Sequence, residues 1–85
     1  MLAFTDLHPV AETHVLFVPK KHVNDFSELH SDEVMASLRL GVRAVVEKSS
    51  LMGKGYKVQV NGGGAQIVPH LHFHLVGPIG EAVEL

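Results

Sequence analysis

The sequence predicts an α+β fold, in which an antiparallel sheet carries one main helix on one face. Three short apolar runs, at residues 14–18, 56–60 and 70–76, have the length and composition of strands. A longer amphipathic segment with helical periodicity separates the first run from the second. The order strand, helix, strand, glycine turn, strand is typical of a helix layered on a sheet, and we expect the last two strands to pair as a hairpin.

The first strand and the helix have clear ends. The strand 14–18 is rich in Val and Phe and stops at Pro19. Ser31 is an N-cap, because two acidic residues follow it in the turn where the helix dipole favours negative charge. Apolar residues then recur at spacings of three and four until about Lys48. Gly41 lies inside this helix, where it costs about 1 kcal/mol relative to Ala, and it indicates close packing against a neighbour.

The third run alternates strictly between histidine and apolar residues, "HLHFHLV". Side chains of a strand point alternately to its two faces. One face therefore carries the histidines and the other carries the apolar residues, which we expect to pack under the helix; the two sets are His70, His72, His74 and Leu71, Phe73, Leu75. Three imidazoles inside an apolar core would leave polar nitrogens unpaired, so the histidine face should look into a cleft or solvent.

Length and composition predict one globular domain, 1–85, with 46% hydrophobic and 19% charged residues. A formal net charge of −2 argues against general nucleic-acid binding. The absence of cysteine excludes disulfides, thiolate zinc sites and cysteine nucleophiles. No apolar run reaches the roughly 20 residues that span a bilayer, and no secretion signal is recognised. We therefore expect a cytoplasmic protein with no membrane partner.

Seven histidines stand in the 85 residues, and the alternating motif allows three interpretations. A metal could take at most two of the triad, because His70 and His74 are about 13 Å apart along an extended strand; a third ligand such as His22 would be needed. The histidines could instead be tolerated on an exposed sheet face. In the catalytic interpretation, one neutral imidazole attacks an electrophile while its neighbours orient it.

The glycine-rich segment "NGGGAQ", residues 61–66, lies just upstream of the histidines. Backbone N–H groups of such a turn can line an anion pocket, although the same residues can form a simple hairpin turn. An imidazole nucleophile beside an anion pocket indicates attack at phosphorus.

The motif "HLHFHLV" resembles the His-φ-His-φ-His-φ-φ pattern, with φ apolar, of the histidine triad (HIT) family. The similarity extends over residues 3–77, through a "D-x-x-P-x-x-x-x-H-x-L-x-x-P-K-x-H" phrase and through "G-x-AQ-x-V-x-H". The "PKKH" phrase resembles the Hint branch more than the Fhit branch. The resemblance implies a homodimer with an α/β meander, a purine nucleotide bound on the sheet and no cofactor. Hint-like members hydrolyse nucleoside phosphoramidates, and Fhit-like members split dinucleoside polyphosphates.

The same resemblance assigns roles to individual residues. His72 would be the nucleophile that attacks the α-phosphorus and becomes nucleotidylated, with His70 and His74 flanking it. His22 and Gln66 would complete the catalytic set, and Gln66 would contact the phosphates. Substrate would be bound at the ribose, base and α-phosphate by Asp6, Phe4, Leu7 and Asn61. His14, which opens a buried strand, is assigned to structure.

The chain departs from the Hint pattern in several places. It lacks the Cys-x-x-Cys element of an additional N-terminal segment, and Ile67 replaces a serine that assists the leaving group in many Hint-like enzymes. The glycine-rich loop is shorter, and the tail has no tryptophan. The alternatives to a phosphoramidase are therefore a Fhit-like dinucleoside polyphosphate hydrolase and a catalytically weak nucleotide-binding module.

Overall fold

The computed structural model describes residues 1–81, so the last four residues of the predicted domain 1–85 lie outside the described part. The elements are β1 (Leu2–Thr5), β2 (Thr13–Val18), a 3₁₀ turn (Phe26–Glu28), α1 (Asp32–Lys48), β3 (Lys57–Val60) and β4 (Phe73–Gly77). The strands form one sheet in the order β1-β2-β4-β3, and every neighbouring pair is antiparallel. This architecture confirms the predicted α+β class and the hairpin-like pairing of the last two strands.

The strands differ from the prediction at two places. β1 was not predicted; it is only four residues long and all four are exposed. It is a strand because it pairs with β2, with Phe4 opposite Leu16. The last strand begins at Phe73 rather than at residue 70, since the backbone N–H of Leu71 donates to the carbonyl of Val23 (2.6 Å) and not to a β2 residue.

The predicted apolar face nevertheless forms the core. Leu71, Phe73 and Leu75 are almost fully buried. They pack with Phe17 and with residues of α1 in one cluster, so the inward and outward alternation of the motif begins before the strand itself.

The helix begins as predicted. The Ser31 side chain accepts a hydrogen bond from the backbone N–H of Glu33 (3.2 Å), which satisfies one of the free donors of the first turn. Gly41 faces the Phe17 ring so closely that a Cβ there would come within 2.6 Å of Cε1. The close packing predicted from this glycine is confirmed.

The sheet thus has one face covered by α1 and an opposite face that the helix leaves open. On the open face His74 lies between Leu16 of β2 and Gln59 of β3. Within residues 1–81 no helix has both the length and the apolar character needed to cross a bilayer.

Candidate active site

His72 directly precedes β4, and a backbone carbonyl of the triad fixes its tautomer. The Nδ1 atom lies 2.8 Å from the carbonyl oxygen of His70. A carbonyl oxygen can only accept, so Nδ1 carries the proton and donates. The other nitrogen, Nε2, therefore holds the lone pair of the neutral ring, which is what a nucleophile or a general base requires.

His14 and Asp6 flank the triad on the side of His74. His14 Nε2 lies 2.9 Å from His74 Nδ1 and 3.4 Å from an Asp6 oxygen, Oδ2. The backbone N–H of Val10 donates to His14 Nδ1 (3.2 Å), so this nitrogen must hold a lone pair. The proton of neutral His14 is thereby placed on Nε2, from which it is donated to His74 Nδ1. Neutral His74 consequently carries its own proton on Nε2.

The electrostatics of this side favour a neutral His74 beside an ionised Asp6. Burial lowers the pKa of His74, and the neighbouring His72 and His14 lower it further, against a smaller opposing effect of Asp6. The pKa of Asp6 is also lowered, chiefly because its carboxylate accepts the backbone N–H of His8 (2.9 Å). Near neutral pH the carboxylate is charged, and His74 acts as a neutral hydrogen-bond donor.

His22 and His70 form a second histidine pair. Their Nδ1 atoms are 2.9 Å apart and their rings stack edge to face. His70 Nε2 lies 3.2 Å from the carbonyl oxygen of Pro19, and His22 Nε2 lies 2.6 Å from Asn24 Oδ1. Both Nε2 atoms donate to these oxygens, which orients the two rings with their Nδ1 atoms facing each other.

Metal binding can be tested against these contacts. In the described part of the chain only Asp6, His14 and His74 bring three ligand atoms within 4.8 Å of one another. A metal on His14 Nε2 would require the proton on Nδ1, and that nitrogen already accepts the Val10 N–H. The hydrogen bonding of His14 therefore disfavours a metal at this group. The pair that includes His22 offers two nitrogens, fewer than the three or four protein ligands of zinc sites.

The glycine-rich loop is held by the segment that follows His22. The backbone N–H of Gly63 donates to Asp25 Oδ1 (2.7 Å), and Gln66 Nε2 donates to the carbonyl of Asn24. Gln66 Oε1 is buried without a partner among the described residues. The loop thus gives one of its N–H groups to an internal carboxylate, and the amide N–H of Gln66 is donated to the Asn24 carbonyl, although the resemblance implies a phosphate contact for this residue.

An apolar cavity of about 370 Å³ adjoins His72. Its walls are Phe4, Leu16, Val18, Val68, His70 and His72. The cavity has the size and the apolar walls of a small-ligand site, with polar imidazoles on one side. It can therefore receive a flat apolar group beside His72.

The structure brings together most, but not all, of the predicted site residues. Phe4 lines the cavity and Asp6 lies at the histidine group, whereas Leu7 is 90% exposed and extends into solvent. Asn61 accepts a hydrogen bond from Gln59 (3.3 Å) at the end of β3. The residue that sequence reasoning missed is His14, which is buried but bonded to His74. The "D-x-x-P-x-x-x-x-H" phrase ends at His14 and could have identified it.

The family model described as HIT domain matches residues 1–80. The chain belongs to the HIT family. It is 40% identical over 77 residues to an uncharacterized HIT-like protein of Helicobacter pylori, covering 88% of this chain and 73% of the relative. The crystal structure of a HIT family hydrolase from Legionella pneumophila superposes with a TM-score of 0.80 at 35% identity, covering 88% of this chain and 70% of that one. An adenosine 5′-monophosphoramidase of Candida albicans is 34% identical over 93 residues, covering 98% of this chain and 59% of the relative.

Proposed function

We propose that this HIT protein hydrolyses purine nucleoside phosphoramidates through a covalent nucleotidyl-His72. The observation that carries the proposal is the hydrogen bond from His72 Nδ1 to the His70 carbonyl, which leaves Nε2 as the lone-pair nitrogen. The nucleoside would occupy the apolar cavity, whose walls include Phe4 and His72 itself. The similarity to a monophosphoramidase supports the same substrate class.

The reaction has two displacements at phosphorus. His72 Nε2 attacks the α-phosphorus, a P–N bond to histidine forms, and the P–N bond to the leaving amine breaks as the amine takes up a proton. Water then attacks the same phosphorus and displaces the histidine, which yields the nucleoside monophosphate and a proton. Splitting the hydrolysis into two steps avoids direct attack by water on the phosphoramidate.

His74 would stabilise the phosphoryl oxygens during both steps. Its Nε2–H is the donor left after Nδ1 accepts from His14, and its ring lies 5.0 Å from the His72 ring, centroid to centroid. Burial and the neighbouring histidines lower the pKa of His74, which keeps it a neutral donor. Asp6, beside the same pair, is available to the ribose hydroxyls as a charged acceptor.

Brief incubation with adenosine phosphoramidate, followed by mass spectrometry of His72-containing peptides, tests the proposal. We expect an adenylyl adduct on His72 and turnover that the His72→Ala variant abolishes while its circular dichroism stays unchanged. The control is His30→Ala, which replaces an exposed histidine and should retain full activity. Full turnover by His72→Ala would overturn the proposal. Faster turnover of diadenosine polyphosphates would favour the Fhit-like alternative, and AMP binding without turnover would favour a binding module.

We also propose that the protein is a homodimer joined along β3 and α1. β3 ends the sheet, so within residues 1–81 one side of it has no strand partner, and Val58 on it is 43% exposed. An apolar groove of about 550 Å³ runs between β3 and the helix, beside Met35 and Tyr56. A second copy would cover both the strand edge and the groove. Light scattering should give twice the chain mass, and Val58→Asp should lower it to the monomer; a monomeric wild type would refute this arrangement.

A further inference from the structure

Asp25 places a carboxylate against the glycine-rich loop. Its Oδ1 accepts the Gly63 N–H (2.7 Å), and its Oδ2 accepts both the backbone N–H (3.0 Å) and the hydroxyl of Ser27. A Cβ added at Gly62 would come within 2.9 Å of Oδ1, so the loop fits the carboxylate closely because residue 62 is glycine. The Gly63 N–H, a backbone donor that could bind an external phosphate, is thus already occupied by an internal anion.

We propose that Asp25 is a specificity-determining residue, which disfavours nucleotides that carry further phosphates beyond the α-phosphate. The inference rests on the proposed function and refines its substrate class, since it favours amine leaving groups over phosphate leaving groups. With the α-phosphorus at His72, the phosphates beyond it would extend along the glycine-rich loop and meet the Asp25 carboxylate.

The contacts that join this loop to the histidines support the proposal. Gln66, at the end of the loop, donates to the Asn24 carbonyl, and the Asn24 side chain bonds His22. His22 in turn contacts His70, whose carbonyl orients His72. The carboxylate therefore belongs to the same connected array as the nucleophile.

The charges near the glycine-rich loop also disfavour a second phosphate. Between Asn61 and Glu81 the sequence has no Lys or Arg, so the loop contributes no fixed cation to neutralise a second phosphate. The pKa of Asp25 is lowered, first by the Ser27 hydroxyl and then by the backbone N–H of Gly63, and the carboxylate remains ionised. A phosphate near it meets the repulsion of a fixed negative charge.

Isothermal titration calorimetry with AMP and with ADP measures the preference for a single phosphate as a ratio of the two affinities. The wild type should bind AMP more tightly than ADP. Asp25→Asn keeps an oxygen for the Gly63 N–H and removes the charge; we expect it to tighten ADP binding about 3- to 10-fold relative to AMP, the range for one screened charge pair. The matched control, Ser27→Ala, removes one hydrogen bond and keeps the carboxylate, so its ADP-to-AMP affinity ratio should match the wild type.

The binding ratio separates this inference from the proposed function. If the protein binds both nucleotides with the expected ratios but forms no adduct on His72, the catalytic proposal fails and the role of Asp25 stands. An unchanged ratio in a folded Asp25→Asn protein would overturn the role of Asp25 whatever the turnover. An equal change in Ser27→Ala would also overturn it, because loop anchoring rather than charge would then set the ratio. Absence of nucleotide binding would overturn both.

Discussion

Replacing His14 with phenylalanine should remove the hydrogen bonds through which the Val10 backbone N–H fixes the tautomer of His74. The ring in this position accepts from the Val10 N–H (3.2 Å) and donates to His74 Nδ1 (2.9 Å). Phenylalanine fills nearly the same buried volume but makes neither hydrogen bond. At about 0.5–1.5 kcal/mol for each bond, the variant should lose about 1–3 kcal/mol of unfolding free energy. For a domain of this size, each kcal/mol corresponds to a fall of about 4–8 °C in Tm.

Determining the tautomer of His74 tests this reasoning more directly than the change in stability does. Long-range ¹H–¹⁵N spectra of the imidazole rings should show the proton on Nε2 of His74 and on Nδ1 of His72 in the wild type. In His14→Phe the His74 ring should become a mixture of both tautomers, and phosphoramidate turnover should fall about 10-fold, the equivalent of one lost hydrogen bond. His30→Phe, at an exposed position, is the control. A wild-type His74 protonated on Nδ1, or a His14→Phe protein with an unchanged His74 tautomer, would refute this reasoning.

Two further predictions concern stability. Gly41→Ala should lower the urea midpoint by the equivalent of about 1–3 kcal/mol, although alanine is the better helix former, because the new Cβ would lie 2.6 Å from Phe17 Cε1; an unchanged midpoint would contradict this packing. Because the pKa of His74 is lowered from its ordinary value of 6.5, the unfolded chain binds more protons than the folded one. The stability that depends on neutral His74, measured as the free energy of unfolding, is therefore fully present above pH 6.5 and declines as the pH falls below it. Thermal melts across this range should show the decline in the wild type and a weaker one in His74→Gln, and identical pH profiles would disprove the assignment.

The helix could be predicted from sequence because its signals are local. The Ser31 cap, the acidic first turn and the apolar spacing all lie within the segment that they describe. β1 gave no such signal, since it is only four residues long and its strand conformation depends on pairing with β2. The register of that pairing is information that no single segment contains.

Predicting which histidines contact the triad also requires the register of strand pairing, which no single segment contains. The alternation "HLHFHLV" predicted which residues are buried, and Leu71, Phe73 and Leu75 are in the core. It could not predict that β2 pairs with β4 so that His14 lies opposite Val76, two residues from His74 and on the same face. Burial alone suggested a structural role for His14, whereas its hydrogen bonds connect it to the open face.

The two histidine groups beside His72 are fixed by different backbone groups, and this difference has a chemical consequence. An N–H, that of Val10, holds His14, and a carbonyl, that of Pro19, holds His70. A backbone N–H always donates and a carbonyl always accepts, so the fold itself sets which ring nitrogens carry protons. His72 is oriented by the carbonyl two residues before it and needs no other side chain to hold its tautomer. In the proposed reaction the flanking histidines can therefore modulate the chemistry, while the local backbone of the triad fixes the tautomer that leaves the lone pair on His72 Nε2.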